Sequence, residues 1–356
     1  MPYFESYDEQ NALLTERFEE VQSYLKKLAD SADVARKKSW ALPVGITLED
    51  YPEHIKPLRV KVQKMFGYPP PGTLLNSKPV IKEIGQDEDG TFCRVFIPLL
   101  KEGYEAYGLL IKPSRPSVPQ RKVLAVAIHG GGGTPELAAG ILGSSNYNDM
   151  GKRLARRGYT VWMPACYERI SFDEKYNRPD VHRVLDLKAR LVGTTLSAID
   201  AFGIIKSTEI LLDSKESDKK EAIAVGLSYG GFRALLVSAF SDIFVACVSS
   251  CFFNDRRTEL EKYGEKGTFT DWFFENTLSV ATDVELCRLI CPRPLFIEVG
   301  IKDDLFPVDG AIEASVEVRK LYEKLNVRER FGFDAFEGGH EFSGVKALEF
   351  LDRMSL

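Results

Sequence analysis

The sequence lacks the features that would place the chain in a membrane or on a nucleic acid. Its longest apolar runs, such as Val123 to Ile128 and Ala222 to Leu227, are far shorter than the roughly 20 residues of a membrane-spanning helix. No run of lysine or arginine is long enough to bind a polyanion, and the 356 residues carry a net charge of -5. We therefore expect neither a membrane nor a nucleic acid as a partner.

Targeting and metal-binding patterns are also missing. The first ten residues, MPYFESYDEQ, lack the basic start and apolar centre of a secretory signal, which favours a cytoplasmic protein. Six cysteines are present, but the pairs Cys247/Cys251 and Cys287/Cys291 lack the CxxC spacing and histidine partners of a zinc site. We expect buried free thiols, with no metal and no organic cofactor.

The first 72 residues differ in pattern from the remainder. Apolar residues recur there at steps of four and three, which puts them on one face of a helix: Leu14, Phe18, Val21, Leu25 and Leu28. We expect this helix to dock on the main domain, and a dimerising seam, giving a homo-oligomer, is the alternative. Consecutive prolines in Tyr68–Gly72 favour an extended connector. The sequence thus predicts a helical extension with a proline linker over 1–72 and a main domain over 73–356.

From Cys93 onward, strand-like and helix-like segments alternate, which indicates an α/β fold with a mainly parallel sheet and helices on both faces. CRVFIP and YGLLIKP resemble a leading antiparallel pair. The segment at about 251–292 breaks the alternation and is rich in aromatic residues: Phe252, Phe253, Tyr263, Phe269, Trp272, Phe273 and Phe274. It follows the carboxyl end of a strand, where open α/β sheets bind ligands, so we interpret it as a helical insertion near a site. The alternative is an insertion that only thickens the core.

The strongest chemical signal is the hexapeptide Gly226-Leu227-Ser228-Tyr229-Gly230-Gly231. It is a G-x-S-x-G placed where an apolar strand ends and a helix begins. Such a turn is tight enough to need small flanking residues, and it exposes the serine hydroxyl above the sheet. This context predicts Ser228 as a nucleophile.

A second motif, His129 followed by four glycines, comes directly after a predicted buried strand. Glycine backbone can approach a substrate carbonyl closely and direct N–H groups at its developing oxyanion. We assign this role to the backbone amides of Gly131 and Tyr229, with Gly130 or Gly132 as alternatives to Gly131. A phosphate-binding loop is the competing interpretation, but neither GxxxxGK[ST] nor a fitting GxGxxG is present.

Two later loops supply an acid and a base. Asp303 and Asp304 follow the predicted strand RPLFIEVG, and either carboxylate could orient an imidazole. His340 lies in a glycine-flanked loop after the last predicted strand, and we predict that it is the general base. Of the four histidines, we expect His54, in the N-terminal extension, and His182, in a charged connector, to be solvated, and His129 to shape the glycine loop. The order serine, aspartate, histidine is the one typical of α/β-hydrolases.

Residues from about 90 to 356 resemble the α/β-hydrolase superfamily, and in particular its acetyl xylan esterase and dienelactone-hydrolase-like branch. The similar segments are HGGGG, GLSYGG, GIKDDLFP and EGGHEF. In that pattern the acid is the third residue after the glycine, which implies Asp303. Dienelactone hydrolases use cysteine as nucleophile where this chain has Ser228, so the resemblance implies an ordinary carboxylic ester as substrate. The expected activity is a short-acyl esterase or deacetylase acting on a carbohydrate or similar small ester.

Two other functions are compatible with the sequence. A peptidase or amidase on the same fold would show a high ratio of amide to ester hydrolysis. The prolyl-oligopeptidase family shares the catalytic arrangement, but the sequence lacks the repeated strands of that family's propeller domain. The propeller that restricts access of large peptides in that family is therefore absent from this sequence. A binding protein that kept the fold without catalysis would fail to react with a fluorophosphonate.

Overall fold

The computed structural model describes residues 3–114, 119–167, 179–214, 219–257, 274–306 and 308–354. The strands within them are β1 (Val80–Gln86), β2 (Gly90–Pro98), β3 (Glu105–Pro113), β4 (Leu124–Ile128), β5 (Val161–Pro164), β6 (Ala222–Leu227), β7 (Phe244–Ser250), β8 (Leu295–Gly300) and β9 (Phe331–Phe336). They form one nine-stranded sheet in the order β1-β2-β3-β5-β4-β6-β7-β8-β9.

The sheet is antiparallel at one side and parallel elsewhere. Strands β1 to β3 and the contact of β3 with β5 are antiparallel, whereas every pairing from β5 through β4 to β9 is parallel. The predicted leading antiparallel pair is β2 with β3. The expected mainly parallel α/β sheet is confirmed.

Helices cover both faces of this sheet. They are α1 (Tyr7–Ser39), α2 (Tyr51–Phe66), α3 (Pro135–Ala139), α4 (Met150–Ala155), α5 (Pro179–Leu191), α6 (Leu196–Asp213), α7 (Tyr229–Phe240), α8 (Thr277–Val280), α9 (Asp283–Ile290), α10 (Val308–Lys324) and α11 (Val345–Arg353). Successive side chains of a strand point to opposite faces, and along β4 Ala125 and Ala127 enter one core while Val126 and Ile128 enter the other. Every residue of β4, β6 and β8 is buried, as a parallel sheet covered on both faces requires.

Some boundaries differ from the sequence pattern. Strand β1 was not indicated because it is an edge strand whose residues are almost all exposed, so burial imposes no alternation on its sequence. The helix expected from Val192 begins instead at Leu196, after Thr195, whose hydroxyl accepts a hydrogen bond from the Ala198 amide at 3.1 Å. The closing helix follows Gly344 as expected.

The N-terminal helix is placed differently from the expectation. The expectation that its apolar stripe docks on the main domain is wrong: Leu14, Phe18, Val21, Leu25 and Leu28 are all exposed. Contact with the main domain, which we call the body, begins at Asp30, whose Oδ1 lies 2.6 Å from Arg257 Nη2. Just after the helix, Trp40 Nε1 donates to the Val280 carbonyl at 2.8 Å. Helix α2 does pack on the body, through Phe66 against Phe240 and Phe274.

Other expectations concern cysteines, the insertion and membranes. All six cysteines are buried free thiols, as expected. In the aromatic segment, Tyr263, Phe269, Trp272 and Phe273 lie outside the described residues, whereas Phe252, Phe253 and Phe274 are buried in the core. Among the helices of the described ranges, none is both long and apolar enough to cross a membrane.

A buried carboxylate in β8 joins three elements near the carboxyl edge of the sheet. Glu298 accepts hydrogen bonds from Ser250 Oγ at 2.7 Å and from the Gly344 amide at 3.0 Å. Burial raises the pKa of Glu298 to about 7, and the charge of Asp334 acts in the same direction, while those hydrogen bonds and the charge of Arg153 oppose the rise. Glu298 therefore fastens the end of β7 and the start of α11 to β8.

This raised pKa predicts a pH-dependent stability. Since the pKa of Glu298 is about 7 in the folded chain against a model value of 4.5, the folded chain keeps a proton that the unfolded chain releases between these values. The wild-type free energy of unfolding should thus fall as the pH rises through that window. Glu298→Gln does not titrate, so its free energy of unfolding minus that of the wild type should rise by on the order of 3 kcal/mol over the window.

Urea unfolding at a series of pH values measures this difference. The matched control is Glu337→Gln, because the side chain of Glu337 is 77% exposed. The free energy of unfolding of Glu337→Gln minus that of the wild type should stay nearly constant across the same pH window. If the corresponding difference for Glu298→Gln is also constant, the raised pKa of Glu298 is contradicted.

Candidate active site

Ser228 lies in a strained turn between β6 and α7. Its backbone has φ 58° and ψ -126°, a conformation that a non-glycine residue rarely adopts. A Cβ on Gly226 would lie 2.0 Å from the Gly230 carbonyl oxygen, and one on Gly230 would lie 2.0 Å from the Ile128 carbonyl oxygen. Only glycine fits at both flanking positions, which explains the spacing of the G-x-S-x-G motif.

Hydrogen bonds hold the turn from both sides. The Ser228 amide donates to the Ser250 carbonyl at 2.8 Å, and the Ser228 carbonyl accepts from the Phe232 amide at 3.0 Å in the first turn of α7. The Ser228 side chain is half-buried. The turn thus fixes the hydroxyl at the carboxyl edge of the sheet, above the N-terminus of α7, where the helix dipole favours negative charge.

The glycine loop after β4 lies directly beside this serine. A Cβ on Gly130 would lie 3.4 Å from Ser228 Oγ, and one on Gly131 would lie 3.9 Å from the ring of Tyr229. The Gly130 amide donates to the Tyr147 hydroxyl at 2.8 Å. The Gly133 amide donates to the Gly130 carbonyl at 3.0 Å. The amides of Gly130 and Gly133 are therefore committed to structural hydrogen bonds, which leaves Gly131 and Gly132 to face a ligand.

Among those glycines, the exposed Gly131 lies against Tyr229, the first residue of α7. In the described part of the chain, no protein acceptor is found for the Gly131 amide. Gly132 is half-buried and has φ 70°. The structure therefore brings the two residues assigned to the oxyanion hole together, beside the Ser228 hydroxyl.

The buried side chain of His129 fixes the shape of the glycine loop through two hydrogen bonds. Its Nε2 accepts from the Cys166 amide at 2.9 Å, so the proton is on Nδ1, which donates to the Gly130 carbonyl at 3.0 Å. Burial lowers the pKa of His129 to about 4, although the Gly130 hydrogen bond opposes the shift. The neutral ring is thus an anchor for the loop.

The acid and base candidates form a hydrogen-bonded pair. Asp303 Oδ2 lies 2.8 Å from His340 Nδ1. The other oxygen of Asp303 accepts from the amides of Leu305 and Phe306, at 2.8 and 3.2 Å. Asp304 is exposed. The structure therefore places Asp303, and not its neighbour, on the imidazole, with the carboxylate held rigidly by backbone.

Two further contacts position His340, one through its ring and one through its backbone. Phe306 stacks on the imidazole with the ring centroids 5.7 Å apart and the planes at 21°. The backbone carbonyl of His340 accepts from Asn146 Nδ2 at 3.0 Å. Within the described residues no hydrogen bond joins His340 to the Ser228 hydroxyl; such contacts often tighten only with substrate bound.

A buried thiol lies against the acid–base pair. Donor atoms of Cys251, Asp303 and His340 all lie within 4.8 Å of one another. The Cys251 thiol is 3.3 Å from the Glu341 carbonyl, on the loop that carries His340. Burial, reinforced by the charge of Asp303, raises the pKa of the thiol far above its usual range. Metal ligation needs a thiolate, so this set fits a packed acid–base pair better than a metal site.

Aromatic rings and a buried guanidinium complete the surroundings. Phe252 contacts the rings of Tyr229, Phe232 and Phe306. The guanidinium of Arg233 lies over the ring of Tyr229, 4.9 Å from its centroid. Such packing excludes water from the core behind Ser228.

Sequence reasoning did not identify several of these supporting residues. Tyr147, Cys251 and Glu298 act through contacts with residues distant in the chain, and no local motif marks them. Cys251 and Glu298 could have been found from their position, because they lie at or near the carboxyl ends of β7 and β8, where a site is expected.

Comparison with known proteins gives structural likeness but no sequence match. No family model and no curated protein matches the chain. Methylesterase BT1017 superposes with a TM-score of 0.67 at 15% identity, covering 92% of this chain and 67% of that one. A putative acetyl xylan esterase (BF1801) from Bacteroides fragilis gives 0.64 at 15% identity, covering 88% and 90%.

A glucuronoyl esterase from Caldicellulosiruptor kristjansonii is similar as well. Its TM-score is 0.59 at 19% identity, with 86% of this chain and 85% of that chain covered. At such identities the likeness establishes architecture. Together with the sheet order and the strained serine turn, it shows that this chain has the α/β-hydrolase fold.

Proposed function

We propose that the chain is a serine esterase that cleaves a carboxylic ester through an acyl-enzyme. The observation that carries the proposal is the convergence of four loops at one edge of the sheet, those after β4, β6, β8 and β9. They contribute the strained Ser228, the hydrogen-bonded pair of Asp303 and His340, and the glycine loop beside the serine. Esterases among the similar structures support the same chemistry.

The first step is acylation. Because Nδ1 of His340 donates to Asp303, Nε2 is the unprotonated nitrogen that takes the proton of Ser228. Ser228 Oγ attacks the ester carbonyl, and the oxyanion accepts hydrogen bonds from the amides of Gly131 and Tyr229. Asp303 stabilises the imidazolium, which then protonates the departing alcohol.

The second step is deacylation. Water enters in place of the alcohol and loses a proton to Nε2 of His340 as it attacks the acyl carbonyl. The same two amides stabilise the second oxyanion. Breakdown of this intermediate returns the proton to Ser228 Oγ and releases the carboxylic acid.

For the substrate we infer a short-acyl ester of a carbohydrate or a similar small alcohol. The buried ring of Phe306 stacks on His340, and the buried ring of Tyr229 lies next to Ser228 in the chain. They leave little space for a long acyl chain. The names of the similar structures, which include acetyl xylan and glucuronoyl esterases, support a carbohydrate alcohol.

Ser228→Ala should lower kcat for an activated aryl acetate by roughly 10⁴-fold or more, because the attacking oxygen is lost. The matched control is Ser241→Ala at the other end of α7, which should keep wild-type activity. A fluorophosphonate should add one equivalent to the wild type and to the control, and none to Ser228→Ala. Near-normal turnover by Ser228→Ala would eliminate this serine as nucleophile.

The adjacent aspartates provide a second, internally matched test. Asp303→Asn should reduce kcat about 10⁴-fold, since an amide favours the wrong imidazole tautomer. Asp304→Asn should stay within about twofold of the wild type, because its side chain is exposed and surface changes are usually small. Steady-state kinetics on both variants measure this, and equal losses would contradict the pairing of Asp303 with His340.

The crowded site predicts a preference for short acyl groups. A methylene that fits an apolar pocket is worth about 1–3 kcal/mol, and a chain that cannot fit loses a comparable amount. We expect kcat/KM for acetyl aryl esters to exceed that for octanoyl aryl esters by about tenfold or more. Assays with a graded acyl series measure this, and a preference for octanoyl would overturn the deacetylase proposal while leaving the esterase proposal intact.

A further inference from the structure

Helix α1 carries an apolar stripe that the described part of the molecule leaves uncovered. Its residues are between 47% and 66% exposed: Leu14, Phe18, Val21, Leu25 and Leu28. Contiguous apolar surface of this kind marks an interaction site in a soluble protein. The stripe is remote in sequence from every residue assigned to the site.

Within the described residues, helix α1 contacts the body through its C-terminal part. Arg257 Nη2 lies 2.6 Å from Asp30 Oδ1, and Arg36 donates to the Leu278 carbonyl at 2.5 Å. Residues 7–28, which we call the arm, are all exposed and contain neither glycine nor proline. At 1.5 Å per residue the arm extends about 33 Å as one straight helix.

The spacing of the stripe indicates what covers it. Alternating steps of four and three form the heptad repeat of a coiled coil, and the repeat continues to Asn11 on one side and to Ala32 and Ala35 on the other. Knobs-into-holes packing needs a facing helix with the same repeat over a similar length. A second copy of α1 meets both conditions. Asn11, at a core position of the repeat, would restrict the register.

The distribution of charge indicates the direction of pairing. In the arm, the acidic half, residues 7–20, has five acidic residues and one arginine, whereas the basic half, residues 21–28, has two lysines and no acidic residue. Antiparallel pairing sets each acidic half against a basic half, whereas parallel pairing sets like charges together. The acidic half also opposes binding to an anionic membrane or a nucleic acid.

We propose that two copies of this chain associate through an antiparallel pair of arms, with their apolar stripes buried against each other. The two bodies then lie at opposite ends of the helix pair. Each body keeps a complete set of candidate catalytic residues from its own chain.

Sedimentation velocity of the full chain over about 1–100 μM tests the association. We expect a mass near twice 40.0 kDa for the wild type. The double variant Phe18→Glu/Leu25→Glu should be a monomer and should hydrolyse an aryl acetate at the wild-type rate. The matched control Val34→Glu, at a position that is 68% exposed but off the stripe, should remain a dimer. A wild type that stays monomeric, or a dimer that persists in the double variant, would refute the proposal.

Charge reversal tests the direction. Glu16→Lys/Glu19→Lys/Glu20→Lys leaves residues 7–20 with four basic and two acidic residues. Both halves of the arm are then basic, so the change should weaken an antiparallel dimer at least tenfold. Adding Lys26→Glu/Lys27→Glu makes residues 21–28 acidic, which exchanges the signs of the two halves and should restore the affinity. Because parallel pairing would keep like charges facing each other in every case, an unchanged dissociation constant for the first variant would exclude the antiparallel arrangement.

Discussion

The architecture of the site depends on one close approach of backbone, in which the turn after β6 lies against the end of β4. The backbone of Gly230 packs against the Ile128 carbonyl, and the backbone of Gly226 packs against the Gly230 carbonyl, so neither position has space for a Cβ. That approach forces Ser228 into its positive-φ conformation. It also brings the loop after β4 to the serine, so that the same constraint positions the candidate nucleophile and the proposed oxyanion donors.

The remaining site residues are held to this turn by buried polar contacts between strand ends. The Ser250 carbonyl holds the Ser228 amide, and the Ser250 hydroxyl binds Glu298, which in turn accepts from the Gly344 amide beyond the His340 loop. The strained backbone conformation of Ser228 therefore persists because these hydrogen bonds fix the residues around it. Pre-organisation of this kind is what a transition-state oxyanion requires.

The sequence was informative where chemistry and local geometry coincide. Short motifs contain Ser228, Gly131 and His340, and the glycines of these motifs indicate tight turns. Buried strands such as β4 and β6 are recognisable as apolar runs. Strand β1 could not be predicted, since an exposed edge imposes no alternation of polarity. The contact of Tyr147 with Gly130 spans chain segments without a shared pattern. The exposed stripe of α1 was expected to dock, because periodicity reveals an apolar face but not the element that covers it.

The central claim is that Ser228 attacks a carbonyl whose oxyanion is bound by the amides of Gly131 and Tyr229. A crystal structure of the protein after reaction with a small fluorophosphonate tests it most directly. The account predicts phosphorus bonded to Ser228 Oγ, with the phosphonyl oxygen about 2.7–3.1 Å from both amide nitrogens. A phosphonyl oxygen directed away from Gly131 and Tyr229, or an adduct on another residue, would contradict the account.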